Sequence, residues 1–110
     1  MIAKVAVPLP IDTLFDYYIP QSLSNIIQIG MRVKIIFNHK FTIGYMVERS
    51  SKSKIKRLNP IVGIVDESPL LTSSSLALAR KIKDYYICSL GEAIDVMIPN
   101  VLKKAKNIKL

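Results

Sequence analysis

The stretch Thr13-Leu14-Phe15-Asp16-Tyr17-Tyr18-Ile19-Pro20 sets one carboxylate among three aromatic rings. Such rings can stack on nucleic-acid bases, at about 1–3 kcal/mol per base. An ionised carboxylate accepts hydrogen bonds and donates none. Asp12 raises a second chemistry, two acids sharing a catalytic metal, but four residues of extended strand span ~13 Å, too far without a sharp turn. Other reactive side chains are sparse. His39 is the sole histidine and Cys88 the sole cysteine, and one of each cannot supply the ~four ligands of a structural zinc site. No glycine-rich loop leads into Lys and Ser or Thr, so ATP binding of that kind is not expected. No catalytic residue and no metal ligand is assigned.

The surroundings of that acid are cationic. Sixteen Lys and Arg stand against eight Asp and Glu in 110 residues, a formal charge of +8. Lys outnumbers Arg twelve to four, which favours diffuse phosphate attraction over forked recognition. This balance suits an anionic partner, or it only keeps the chain soluble. A lone cysteine allows no internal disulfide and suits a reducing compartment. The N-terminal apolar run lacks a basic leader and is interrupted by Pro8 and Pro10, unlike a signal peptide. No apolar run approaches the ~18 residues of a membrane span. No membrane partner and a cytoplasmic location are the expectations.

Short strands must position these residues. Residues 2–7 are β-branched and stop at Pro8; residues 15–19 are ring-rich and stop at Pro20. Met31, Val33, Ile35 and Phe37 alternate with Arg32 and Lys34, a half-buried strand with a cationic outer side. Residues 41–48 follow the short Asn38-His39-Lys40 link, so a hairpin is predicted. Gly44 inside that strand implies a bulge or a close approach to the backbone. Residues 61–65 read as a fifth strand. Residues 49–57 carry five basic residues and no acid: a polar loop, and a candidate phosphate clamp. Ser73, Ser74 or Ser75 is placed to cap a helix with Leu78, Ile82 and Tyr85 on one face. Leu90, Ile94 and Met97 share a face of a second, short helix near Pro99. These elements predict an α+β domain over 1–102, a small curled, mostly antiparallel sheet of about five short strands followed by two C-terminal helices. The basic stretch 103–110 is expected to be a linker to regions beyond the domain. Within residues 15–18, alternation sends Phe15 and Tyr17 to one side and Asp16 and Tyr18 to the other; pattern leaves open which pair is core.

The ordered set "VAVPLPIDTLFDYYIP", "GMRVKIIF", "IGYMVE", "LNPIVGIVDESPLLT" and "LARKIKDYYICSLGEAIDVMIP" closely resembles the N-terminal domain of the bacterial primosomal protein N′ (PriA) family, from residue 2 to about 102. The resemblance implies binding to the 3′-hydroxyl end of a DNA strand at stalled or abandoned replication forks, independent of base sequence. It implies that Phe15, Asp16 and Tyr17 receive the terminal nucleotide. Asn38, Lys40, Lys56, Arg57 and Asn59 are the further candidate DNA contacts; Asn38 and Asn59 stand where the family commonly has glycine and lysine. Full-length members are ATP-dependent DNA helicases. Zinc, and ATP with magnesium, are thus expected only in regions outside this chain, which itself carries no cofactor. The implied partners are the remaining helicase domains, primosome proteins and single-stranded DNA-binding protein. The residues alone fit a general single-stranded nucleic-acid or ribosomal RNA-binding module equally well.

Overall fold

The computed structural model of the chain describes residues 1–53 and 57–98. In chain order the elements are β1 (Ile2–Ala6), β2 (Phe15–Tyr18), β3 (Arg32–Phe37), β4 (Lys40–Ser50), β5 (Gly63–Ile64) and α1 (Ser73–Tyr86). A second helix, α2, follows over 90–98. The strands form one antiparallel sheet in the order β2-β1-β4-β3-β5. Strands first and helices last make the α+β architecture that the patterning predicts.

The sheet curls until its edges meet. Tyr18 forms a parallel bridge with Pro60: the Tyr18 N–H donates to the Asn59 carbonyl at 2.9 Å, and the Ile61 N–H to the Tyr18 carbonyl at 2.8 Å. The same segment then crosses to β3, where Val62 donates to Lys34 at 2.8 Å and Val65 to Arg32 at 3.0 Å. Residues 59–65 therefore tie β2 to β3 and cover edges that would otherwise offer unpaired backbone. Asp66 locks the end of this strap. It accepts the Arg32 backbone N–H at 2.8 Å and the guanidinium Nη2 at 2.7 Å, a charge-assisted fork.

Inside the curl lie Val5, Val7, Tyr17, Val33, Ile35, Phe37, Met46 and Ile61. The predicted inward row of the alternating strand is thus buried, Met31 included. A two-residue turn joins β3 to β4. Asn38 and His39 have φ of 49° and 65°, the paired positive values of a hairpin turn that follows strand twist. Asn and His are among the residues that tolerate this region. Gly44 answers to close approach: a Cβ there would sit 2.4 Å from Val5 Cγ1. The register shift falls elsewhere, between Lys4 and Val5.

A second cluster covers part of the sheet's outer face, where Ala6, Tyr45 and Val47 meet Leu76 and Ala79 of α1 and Leu90, Ala93 and Ile94 of α2. Two expectations for α1 are corrected. Its cap is Thr72, whose Oγ1 accepts the Ser75 N–H at 3.1 Å, so Ser73–Ser75 form the first turn. Its inward stripe is Leu76 and Ala79, with Ile82 partly packed, while Leu78 and Tyr85 are exposed. Small Ala79 lets the helix seat closely, and that choice of face is made by the surface it meets. Leu90, Ile94 and Met97 do share the inward side of α2. A capping box begins this helix: the Glu92 N–H donates to Ser89 Oγ at 3.1 Å and the Ser89 N–H to Glu92 Oε1 at 3.0 Å. Ser89 Oγ also donates to the Leu9 carbonyl at 2.6 Å. The Tyr45 hydroxyl donates to Asp95 Oδ1 at 2.7 Å, fastening α2 to β4; burial, then this bond, pushes its phenol well above the usual range. Pro99, the domain limit at 102 and the basic stretch 103–110 lie outside the described residues.

Gly91 shows how tightly α2 docks, because a Cβ there would lie 1.8 Å from the Val7 carbonyl oxygen. Gly63 has only the Lys34 Cδ near, at 3.7 Å. Gly91→Ala is expected to cost ~1–3 kcal/mol by overpacking, about 5–20 °C in melting temperature for a domain of this size. Gly63→Ala is expected to shift it little. Thermal melts followed by circular dichroism compare the two.

Candidate nucleic-acid interface

Alternation along β2 divides its four residues as the sequence predicts. Phe15 and Tyr17 turn inward and Asp16 turns outward beside Tyr18. The Phe15 ring meets the Phe37 ring edge-on, centroids 4.8 Å apart at 71°. Tyr17 is only 5% exposed, and its hydroxyl donates to the Ile36 carbonyl at 3.0 Å; burial raises its phenol pKa. Both rings thus grip the end of β3 just before the Asn38 turn. Tyr18 is the half-exposed ring of the group.

Asp16 sits directly across from Lys4 in the β1–β2 register. Lys4 Nζ lies 2.9 Å from Oδ1, and the Ser53 hydroxyl donates to Oδ2. The side chain is 11% exposed. The Ser53 hydrogen bond and the Lys4 ammonium outweigh burial and hold this carboxyl below the usual carboxylate range, so it is ionised at neutral pH and acts only as an acceptor. Four lone-pair sites serve a carboxylate, and these partners use two. Glu48 lies across β1 from Lys4 on the other side, so one lysine faces two acids. Asp12 is separate from this group, pairing with Lys83 at 3.0 Å.

The other candidates fall around β2 and the hairpin. Asn38 and Lys40 are exposed at the hairpin tip, one and three residues beyond Phe37. Asn59 is exposed and its backbone is bonded to Tyr18. Arg57 is exposed two residues before it. Lys56 lies outside the described residues. Phe15 and Asp16 face opposite sides of their strand, so the inward ring reaches Asn38 through Phe37 while the acid reaches Lys4 and Ser53. His39 is exposed at the hairpin tip, and Cys88 is packed against the helix cluster. A cleft of about 320 Å³ opens between β1 and α1, lined by Asp12, Glu48, Arg80 and Lys83 among others; neither Phe15 nor Asp16 lines it.

Lys4 and Ser53 are the site residues that sequence reasoning missed. A lysine in a β-branched strand and a serine in a polar loop carry no local signal; only strand register and loop closure bring them to Asp16.

Because Asp16 is held below its ordinary value, its ion pair and hydrogen bonds stabilise the fold fully above the unfolded pKa near ~3.9. That contribution disappears as pH falls through the lower folded value. The urea midpoint of the natural chain is therefore expected to exceed that of Asp16→Asn above the unfolded pKa and to converge with it once pH falls below the lowered folded value. Urea titrations across pH measure the gap. In the same assay Tyr17→Phe is expected to lose ~1 kcal/mol at every acidic and neutral pH, the worth of one hydrogen bond.

Comparison with known proteins follows this geometry. The family model for the PriA 3′ DNA-binding domain (3′BD) matches residues 4–99. Replication restart protein PriA of Chlamydia trachomatis is 30% identical over 113 residues, covering 97% of this chain and 15% of that protein. The protein of the same name from Haemophilus influenzae is 29% identical over 108 residues, covering 96% of this chain and 14% of its own length. That of Bacillus subtilis is 30% identical over 95 residues, covering 84% and 12%. The chain spans about 15% of the length of the first of these relatives. With most of β1 and all of β2, the hairpin, the strap and both helices inside the matched region, the chain belongs to the PriA 3′ DNA-binding domain family.

Proposed function

We propose that this chain binds the 3′-hydroxyl end of a DNA strand, without regard to base sequence, at stalled or abandoned replication forks. It does so as the N-terminal module of an ATP-dependent replication-restart helicase. The observation that carries this reading is Asp16, an ionised acceptor in a chain of charge +8 whose Oδ2 already holds a hydroxyl donor. A terminal deoxyribose hydroxyl is the same kind of donor as Ser53. Exchanging one for the other keeps the O–H···O⁻ bond, so entry of the strand end leaves no buried acceptor unsatisfied.

An internal nucleotide has a phosphodiester at that atom, with no proton to give and a negative charge of its own. Asp16 and Glu48 face it with a single lysine between them, so an esterified terminus is repelled where a hydroxyl is accepted. Cations farther out, Lys40, Lys52 and Arg57, attract the backbone and make binding salt-sensitive. Phe15 acts through Phe37 on the turn that carries Asn38, and Tyr17 acts through the Ile36 carbonyl. Neither an acid on a hydroxyl nor a ring on a base reads base identity. The fork setting, and partnership with the remaining helicase domains, primosome proteins and single-stranded DNA-binding protein, is supported by relatives named replication restart protein. ATP with magnesium, and zinc, would belong to those other regions.

Oligonucleotides ending in a 3′ hydroxyl or a 3′ phosphate test the reading by fluorescence anisotropy. The hydroxyl end is expected to bind about 10- to 150-fold more tightly, the worth of one hydrogen bond to a charged group. Asp16→Asn is expected to remove most of that preference. Ser53→Ala is expected to keep it and raise affinity for the hydroxyl end. Arg57→Gln is expected to weaken both ends alike and lower the salt slope by about one. Equal binding of the two ends by the natural chain would instead make it a general single-strand binder.

A further inference from the structure

Alternate residues of β4 form one row on the outer face of the sheet: Phe41, Ile43, Tyr45 and Val47. The helices cover Tyr45 and Val47. They leave the other half bare, with Phe41 at 80% exposure and Ile43 at 41%. Directly across the hairpin, Ile36 pairs with Phe41 and Lys34 with Ile43, so these four side chains share the uncovered face. Lys40 stands at its tip. A ring this exposed, in a contiguous apolar strip, marks a contact surface.

The charge of the strip selects its occupant. From Met31 to Val47 the chain contains Arg32, Lys34, His39 and Lys40 and no acid. Asp66 reaches only Arg32, at the far end. Lys34 and Lys40 form no ion pair among the described residues. A bare ring flanked by unneutralised lysines matches single-stranded nucleic acid, whose bases stack and whose phosphates seek cations. We propose that Phe41, with Ile36 and Ile43 beneath it and Lys34 and Lys40 at its rim, is a second DNA contact. It takes unpaired bases upstream of the terminal nucleotide. The placement rests on the end-binding reading: Asp16 and Lys4 lie level with Glu48 in the strand register, seven residues along β4 from Phe41, a span of roughly 23 Å that a strand of several nucleotides can bridge. The strip itself stands on its own exposure and charge.

Strand length separates the two sites. A hydroxyl-ended dinucleotide reaches the end site alone, whereas a strand of about eight nucleotides reaches both. Phe41→Ala is expected to weaken the longer strand about 5- to 150-fold, the fold-change of one stacked base, and to leave the dinucleotide unchanged. Phe41→Trp is expected to bind the longer strand at least as well as the natural chain. Lys34→Gln is expected to reduce the salt slope for the longer strand by about one. Both side chains are exposed, and unchanged melting temperatures confirm that the variants fold. Phe41→Ala without effect on the longer strand, or with the same loss on the dinucleotide, overturns the proposal, as does a strip that responds only to a protein partner. Equal binding of hydroxyl and phosphate ends by the natural chain defeats end recognition and leaves the strip's length dependence standing.

Discussion

The backbone ladder between Tyr18 and residues 59–61 is the constraint on which the rest depends. Without it β2 would be a free edge, paired only to β1. With it, β2 is held on both sides, and the strap it pairs with continues to β3. That closure turns a flat ladder into a curl with an apolar interior, and it fixes three candidate positions at once. Asp16 is pinned between Lys4 and the loop carrying Ser53. Asn59 is brought against the aromatic strand. Phe37, gripped by Phe15, sets the stance of the Asn38 turn. The bonds involved are ordinary, each worth about 1 kcal/mol net; their consequence is large because one segment serves two strands.

Within that frame the charges divide the labour. Most of the excess cation is exposed, where attraction is long-ranged and screened by salt. The one acid set among the rings is partly buried and doubly bonded, so its charge is directed at short range. The Ser53 hydroxyl, and then Lys4, keep Asp16 ionised and oriented, while Glu48 faces the same lysine from across β1. In the proposed function, this division lets a basic chain attract a polyanion broadly while one acid discriminates at a single atom.

The outer face carries a second asymmetry. Helices cover the half of β4 nearest its C-terminal end, where Gly91 and the Ser89 cap let α2 approach β1 closely. The hairpin half extends beyond them, and its turn needs positive φ rather than helix contact. The same row of residues is thus core at one end and surface at the other. No reading of alternation alone distinguishes those ends, because the side-chain period is two along the whole strand.

Alternation, turn residues and proline stops in the chain itself determined the strand sequence, the hairpin, the inward row from Met31 to Phe37, and the split of Phe15 and Tyr17 from Asp16. The capping box at Ser89 and Glu92 was also written there, as a serine followed three residues later by a glutamate. These features depend on neighbours a few residues away, so local order suffices to encode them. Only the tertiary structure decided that Lys4 and Ser53 complete the environment of Asp16, that Tyr17 is buried, that α1 turns Ala79 inward and Tyr85 outward, and that Phe41 stays bare. Each of those outcomes is a contact between segments 12 to 40 or more residues apart, or the absence of one. Strand register and sheet curl, which no local pattern carries, bring such segments together.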